Sequence, residues 1–313
     1  MSETANEPLG STVRSRRRPP GGPSLVQDPC LAEEMLAAQD RGHELALHGF
    51  YHVATHGSGP FWQRGVAQVV ARGAAEFATL SEGEARARIN AVVVTSEFTE
   101  HEFSGLKKVR SLRRIQLGVD LELFHPQPTP EHSGIKLAYA GRLSQEKNVG
   151  LAIAAVKELT HSGHDVHLDL YGTGAAQAEL RRAAGDLPVT FHGHVADRPL
   201  LASHLAAADV VLAPCLVETF GLSVLEALAC GTPVVAATGG ASGELLGSAA
   251  GVVAAPTASG MARGVLEVLS RPERVRRAAA RRQAERHPWS RSVEEMLDVH
   301  EDVVSACRRA VTV

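Results

Sequence analysis

The sequence predicts an α/β chain: a parallel sheet with helices on both faces, preceded by an incomplete α/β segment and a disordered tail. Three observations carry that expectation. Short runs rich in Val, Ile and Leu recur from residue 91 onward, and stretches of helical character separate most of them. Most of the runs are continuously apolar, as strands covered on both faces are. Glycine and proline punctuate their ends, where turns are needed. Such alternation builds βαβ units on a parallel sheet.

The elements follow in order. Residues 1–29 are rich in Pro, Gly, Ser and Arg and offer little to bury, so they read as a disordered tail. Residues 30–90 form a mixed segment: helical character at Leu31–Gln39, a short strand at 43–47, a glycine-containing loop, then helical runs near 62–72 and 81–89. The regular region follows, with strands expected at 91–96, 114–118, 135–141, 166–172, 188–193, 209–214, 233–238 and 251–256. Helices are expected at Val149–His161, Ala175–Ala184 and Gly260–Ser270, in an arginine-studded stretch at 272–286, and at Ser290–Arg308.

Composition removes several function classes. The chain has 313 residues, enough for about two domains, with 44% hydrophobic and 4% aromatic side chains. Thirty-two basic against 35 acidic residues give a formal charge of -3, which argues against a dedicated nucleic-acid binder. Mean hydropathy is -0.05, and no run of about 18 apolar residues is long enough to span a bilayer. Cys30, Cys215, Cys230 and Cys307 are scattered without metal-ligand or redox spacing, as expected of a reduced, cytoplasmic chain. The arginines of 272–286 read as a solvated helix face, with peripheral contact to anionic membrane lipid at the inner face as the alternative.

The richest stretch is CLVETFGLSVLEALACGTPVVA, 215–236. A strand ends in a loop carrying Glu218, and Phe220-Gly221 opens a helix that contains Glu226. Glycine at a helix start allows close approach to the backbone, and the free N–H groups at Gly221 and Leu222 favour phosphate. Glu218 and Glu226 stand eight apart, one before the helix and one inside it, so they can address two parts of one ligand. Upstream, GRLSQEKN (141–148) follows another strand, and its Arg142 and Lys147 suit a diphosphate leaving group. Gly172 and Gly174 follow a third strand; they serve either a tight turn or the approach of a ligand.

Taken together, GRLSQEKN, the YGTG loop, FHGHV, ADVVLAP and ETFGLSVLEALACGTPVVA resemble, in this order, the retaining GT-B glycosyltransferases of family 4. Within that family, the chain is most similar to bacterial GDP-mannose-dependent α-mannosyltransferases acting on lipid acceptors. The resemblance covers roughly 91–313 and implies a crossover from a first domain at 91–126, a Rossmann-like GT-B nucleotide-sugar domain at 127–288, and a terminal helix at 289–313. It implies that Arg142 and Lys147 hold donor phosphates and that Glu218 contacts the transferred sugar. Glu226 would bind the ribose and the His194–Val195 segment would lie along the base. Such enzymes need no metal; the donor is a nucleotide-diphosphate hexose and the acceptor a lipid or glycan.

Residues 42–89 resemble a different family, the polysaccharide deacetylases related to NodB, in which His48 and His52 would be zinc ligands, with His56 nearby. That family's Asp-Asp pair is absent from this sequence. Three functions therefore stand at this point: a hexosyltransferase, a nucleotide-sugar-binding remnant without turnover, and a zinc-dependent carbohydrate deacetylase.

Overall fold

The computed structural model describes residues 91–103, 111–128, 132–247 and 249–311. The expected tail at 1–29 and the segment 30–90, with His48, His52 and His56, lie outside the described residues.

Two short strands, β1 (Val92–Val94) and β2 (Leu112–Arg114), pair in parallel, with helix α1 (Glu97–Phe103) between them. Six further strands form one sheet: β3 (Ile135–Ala140), β4 (Val166–Tyr171), β5 (Val189–Gly193), β6 (Val210–Ala213), β7 (Val234–Ala237) and β8 (Gly251–Ala254). Their order is β5-β4-β3-β6-β7-β8 and every pairing is parallel. The chain builds outward from β3 to β5, then returns to the other side of β3 with β6. Loops leaving β3 and β6 at their carboxyl ends therefore diverge and open a crevice, the usual ligand position in such sheets.

Helices connect the strands: α2 (Val149–His161), α3 (Gln177–Ala184), α4 (Arg198–Ala206), α5 (Leu222–Ala229) and α6 (Ala258–Leu269), followed by α7 (Glu273–Ala284) and α8 (Trp289–Val311). Because side chains alternate across a strand, each apolar run feeds two cores. Ala138, Ala140, Val211, Ala213, Val234 and Ala236 pack with α4, α5 and α7. Leu137, Tyr139, Val210, Leu212, Val235 and Ala237 pack with α2, α3 and α6. Both faces are covered at the centre of the sheet, which explains the unbroken apolar runs of β6 and β7; toward the β5 edge, polar His167, Asp169 and His192 interrupt β4 and β5. A fully buried leucine such as Leu212 or Leu225 is worth about 2–3 kcal/mol of transfer free energy.

Two expectations need correction. The strand expected at 114–118 ends at Arg114, because its partner β1 ends at Val94 and the last rung is Ile115 N–H to the Val94 carbonyl. Beyond it the chain turns to the start of α8: Val119 bridges Pro288, and Ser292 Oγ donates to the Gln116 carbonyl at 2.7 Å. Gly118 is required there, since a β-carbon would collide with the backbone of Pro288 and Trp289.

The arginines of 272–286 are not simply a solvated face. Arg277 donates to the carbonyls of Ala206 and Ala208, both at 3.1 Å, where α4 ends. Arg281 donates to Phe124, Ala229 and Leu121 carbonyls at 2.8, 2.9 and 3.3 Å. Ala229 is the last residue of α5, so Arg281 satisfies a carbonyl the helix leaves unpaired and opposes its negative dipole end. Arg276 is buried and faces Asp209 at 3.5 Å. Arg274 and Arg282 remain exposed.

Candidate functional site

The crevice between β3 and β6 is lined by the two loops that the sequence marks. After β3, the chain runs through Gly141–Ser144 and a single 3-10 turn, Gln145–Lys147, before α2. The buried Tyr139 hydroxyl donates to the Arg142 carbonyl at 2.8 Å and pins the loop from below. Asn148 ends the turn in the left-handed region, φ 51°, a conformation that asparagine tolerates better than most residues. Its side-chain amide donates to the Pro214 carbonyl at 3.3 Å, tying the β3 loop to the β6 loop.

That tie brings Lys147 to Glu218. Nζ lies 2.6 Å from Oε2, with side chains 22% and 17% exposed, so 71 residues of sequence close into one charge pair at the crevice. A lysine ammonium has three donors, and this contact uses one of them. The Thr219 backbone N–H donates to the other Glu218 oxygen at 3.2 Å. Arg142 is placed differently: it is 70% exposed and 3.6 Å from Glu146, whose carboxylate also accepts from Ser144 Oγ at 2.7 Å. An exposed pair of that length contributes little, leaving the guanidinium available.

The Glu218 backbone is clamped from the β7 side. Ala241 N–H donates to the Glu218 carbonyl at 2.8 Å, and a β-carbon on Gly240 would sit 2.7 Å from the Glu218 nitrogen. Thr95 and Ser96 hydroxyls donate to the Thr219 carbonyl at 3.1 and 2.7 Å. The Gly239-Gly240 pair was not marked by sequence reasoning, although two glycines directly after an apolar strand are a readable signal of close backbone approach.

Gly221 caps α5 at φ 103°, where a side chain would be strained. Leu222 is exposed at the first turn. The Phe220 side chain is buried in the core, and its backbone leads into the start of α5. Gly172 and Gly174 acquire a packing role, since β-carbons there would strike the carbonyls of Gly141 and Leu143. Those contacts dock the YGTG loop against the β3 loop, with Leu143 N–H donating to Thr173 O at 2.9 Å.

Glu226 lies on α5 with its side chain 16% exposed and 3.0 Å from Arg198, the first residue of α4. Burial pushes its carboxyl above the ordinary range, and the Arg198 charge and hydrogen bond pull it back. Arg198 was missed at the sequence level; nothing in a 28-residue separation signals the contact. Val195 packs partly buried on the α4/α5 core, and His194 beside it is exposed. Cys215 is buried, its Sγ donating to the Glu146 carbonyl, and burial pushes its thiol up to about 11, which suits a packing residue. Among the described residues, no group of three or more His, Cys, Asp or Glu side chains is arranged to hold a metal ion. Also among them, no helix is long and apolar enough to cross a membrane.

A six-stranded parallel sheet with basic and acidic residues meeting at its strand-order reversal defines a doubly wound class of α/β domain. Residues 134–271 match the family described as "Glycosyl transferases group 1". The chain is 39% identical over 236 residues to a GDP-mannose-dependent alpha-(1-6)-phosphatidylinositol dimannoside mannosyltransferase of Mycobacterium tuberculosis, covering 72% of this chain and 61% of that protein. It is 32% identical over 223 residues to the corresponding monomannoside mannosyltransferase of Mycolicibacterium smegmatis, covering 64% and 57%. The chain thus spans about three-fifths of the length of these relatives. Among solved structures, the sucrose-phosphate synthase of Thermosynechococcus elongatus superposes with a TM-score of 0.62 at 26% identity, covering 78% of this chain and 66% of that one. Anabaena HepE, in complex with UDP and glucose, shares the GT-B fold at a TM-score of 0.59 and 20% identity, covering 75% and 76%.

Proposed function

We propose that the chain binds a nucleotide-diphosphate hexose, GDP-mannose by preference, and transfers the hexose to a lipid or glycan acceptor. The Lys147–Glu218 pair at the strand reversal carries this reading. It puts a cation for a diphosphate and a carboxylate for sugar hydroxyls at one point of the crevice. Identity to mannosyltransferases supports the choice of donor. Arg142, exposed and loosely paired, joins Lys147 in neutralising the diphosphate as it leaves. The N–H groups of Gly221 and Leu222 face a phosphate, Phe220 contributes backbone alone, and Glu226 receives the ribose hydroxyls. Val195 lies along the base, and Gly172 and Gly174 hold the neighbouring loop in place. In the transfer, the bond from the anomeric carbon to the phosphate oxygen breaks and one to the acceptor oxygen forms. The acceptor proton leaves with the nucleoside diphosphate.

Calorimetric titration with GDP, UDP, GDP-mannose and UDP-glucose tests the reading. Binding of the guanine pair in preference to the uracil pair is expected, and Glu218→Ala should weaken GDP-mannose more than GDP. Silence with all four overturns it. Incubation with GDP-mannose and lipid extract separates transfer from binding alone: a hexosylated product is expected, and binding without product leaves nucleotide-sugar binding as the function.

A further inference from the structure

We propose that Arg198 is a positioning residue: it fixes the Glu226 carboxylate with one oxygen engaged and leaves the other open to the vicinal hydroxyls of a nucleotide's ribose. The inference rests on the reading of Glu226 given above.

The geometry supplies two constraints on Arg198. It begins α4, whose start is fixed by the Asp197 side chain accepting from the Leu200 N–H at 3.3 Å. The guanidinium lies 5.1 Å from the ring centroid of the buried Phe124, within cation–π range, and Phe124 is itself held by Arg281 at its carbonyl. From there Nη2 reaches Glu226 Oε1 at 3.0 Å. This single contact holds Oε1 against a planar, permanently charged donor, which limits where the carboxylate can swing.

The second oxygen is the informative one. Among the described residues Oε2 accepts no hydrogen bond, yet the single buried side-chain polar atom without a partner is Arg276 Nε. Oε2 therefore reaches solvent from an otherwise enclosed side chain, the disposition a diol would use. Among the described residues, the ionisable groups facing Glu226 are Arg198 from α4 and Cys230, which follows the last residue of α5, so Arg198 is the cation among them that opposes the burial of this carboxylate. Arg198 also lies three residues beyond Val195, which joins the segment read as the base contact to the one read as the ribose contact.

The test is GDP affinity, by calorimetry on the full chain, for wild type, Glu226→Ala, Arg198→Gln and Arg198→Lys at pH 8 and pH 6. Glu226→Ala should weaken binding about tenfold or more at pH 8, the scale of a hydrogen bond to a charged group. Arg198→Gln should weaken it about three- to tenfold at pH 8, and the deficit should widen at pH 6 as the unopposed carboxyl takes up a proton. Arg198→Lys should restore most of the pH insensitivity, which a purely structural role for the side chain would not produce. Arg198→Gln binding GDP as tightly as wild type, or more tightly, at both pH values while Glu226→Ala is weakened overturns the positioning role. Unchanged affinity in Glu226→Ala overturns the ribose reading, as does a wild-type chain that binds no GDP, and the role of Arg198 goes with it.

Discussion

Two basic regions of this molecule look alike in sequence and behave oppositely in the fold. On α7, Arg277 and Arg281 spend their donors on backbone carbonyls at the ends of α4 and α5, and are folded inward. In the loop after β3, Arg142 stands out in solvent, and among the described residues Lys147 spends one of its three donors, on Glu218. Unpaired helix-end carbonyls create a demand for cations within the protein, and α7 meets it. The cations of the crevice loop face carboxylates instead, Lys147 closely at Glu218 and Arg142 loosely at Glu146, and among the described residues neither caps a helix end.

The largest effect that sharpens this contrast should come from Lys147→Gln. Removing the charge while keeping a donor toward Glu218 should lower kcat/KM for hexose transfer by about a hundredfold or more, the usual scale for losing one electrostatic contact to a leaving group. Its melting temperature should stay near that of wild type, as read by thermal unfolding. Arg281→Ala should do the reverse. It strips partners from three carbonyls, and a loss of about 2–4 kcal/mol in urea unfolding is expected. If Arg281→Ala instead left stability untouched, the distinction between the two regions would collapse.

Asn148 stands between the two behaviours, because it is structural but serves the crevice. Asn148→Ala forfeits the bond to Pro214 and places alanine in the left-handed region, so about 1–2 kcal/mol of stability should go, with weaker donor binding. Smallest is the effect of Glu226→Gln. Burial holds the folded-state carboxyl above its ordinary value of 4.5, so the folded chain binds that proton more readily than the unfolded one. The stability this group contributes is therefore present at low pH and is lost as pH rises through and above 4.5. At neutral pH, Glu226→Gln should raise the melting temperature slightly while weakening GDP binding.

Much of the sheet was legible because it is buried on both faces. Strands β3 to β8 match their expected positions closely, and α2 spans the expected Val149–His161. The strand expected at 114–118 falls short because Ile115 is buried and apolar like a strand residue, yet its N–H makes the last bond to β1 and the chain then turns toward α8. Residues Glu218, Glu226, Arg142 and Lys147 could be marked from their places after strands and at a helix start. Their partners could not. Lys147 meets Glu218 across 71 residues and Arg198 meets Glu226 across 28, distances that only the strand order closes. Gly172 and Gly174 were legible as glycines, while the carbonyls that exclude a side chain there belong to Gly141 and Leu143. For the same reason the arginines of α7 read as solvated: a run of charge does not disclose which helix ends lie beneath it.

The most direct test of the account is titration of GDP into the wild-type chain and into Lys147→Gln under identical conditions. A donor site at the reversal of strand order requires saturable binding by wild type and an affinity at least about tenfold lower in the variant, with both chains equally folded. Equal affinity in the two chains, or no binding by either, would contradict it.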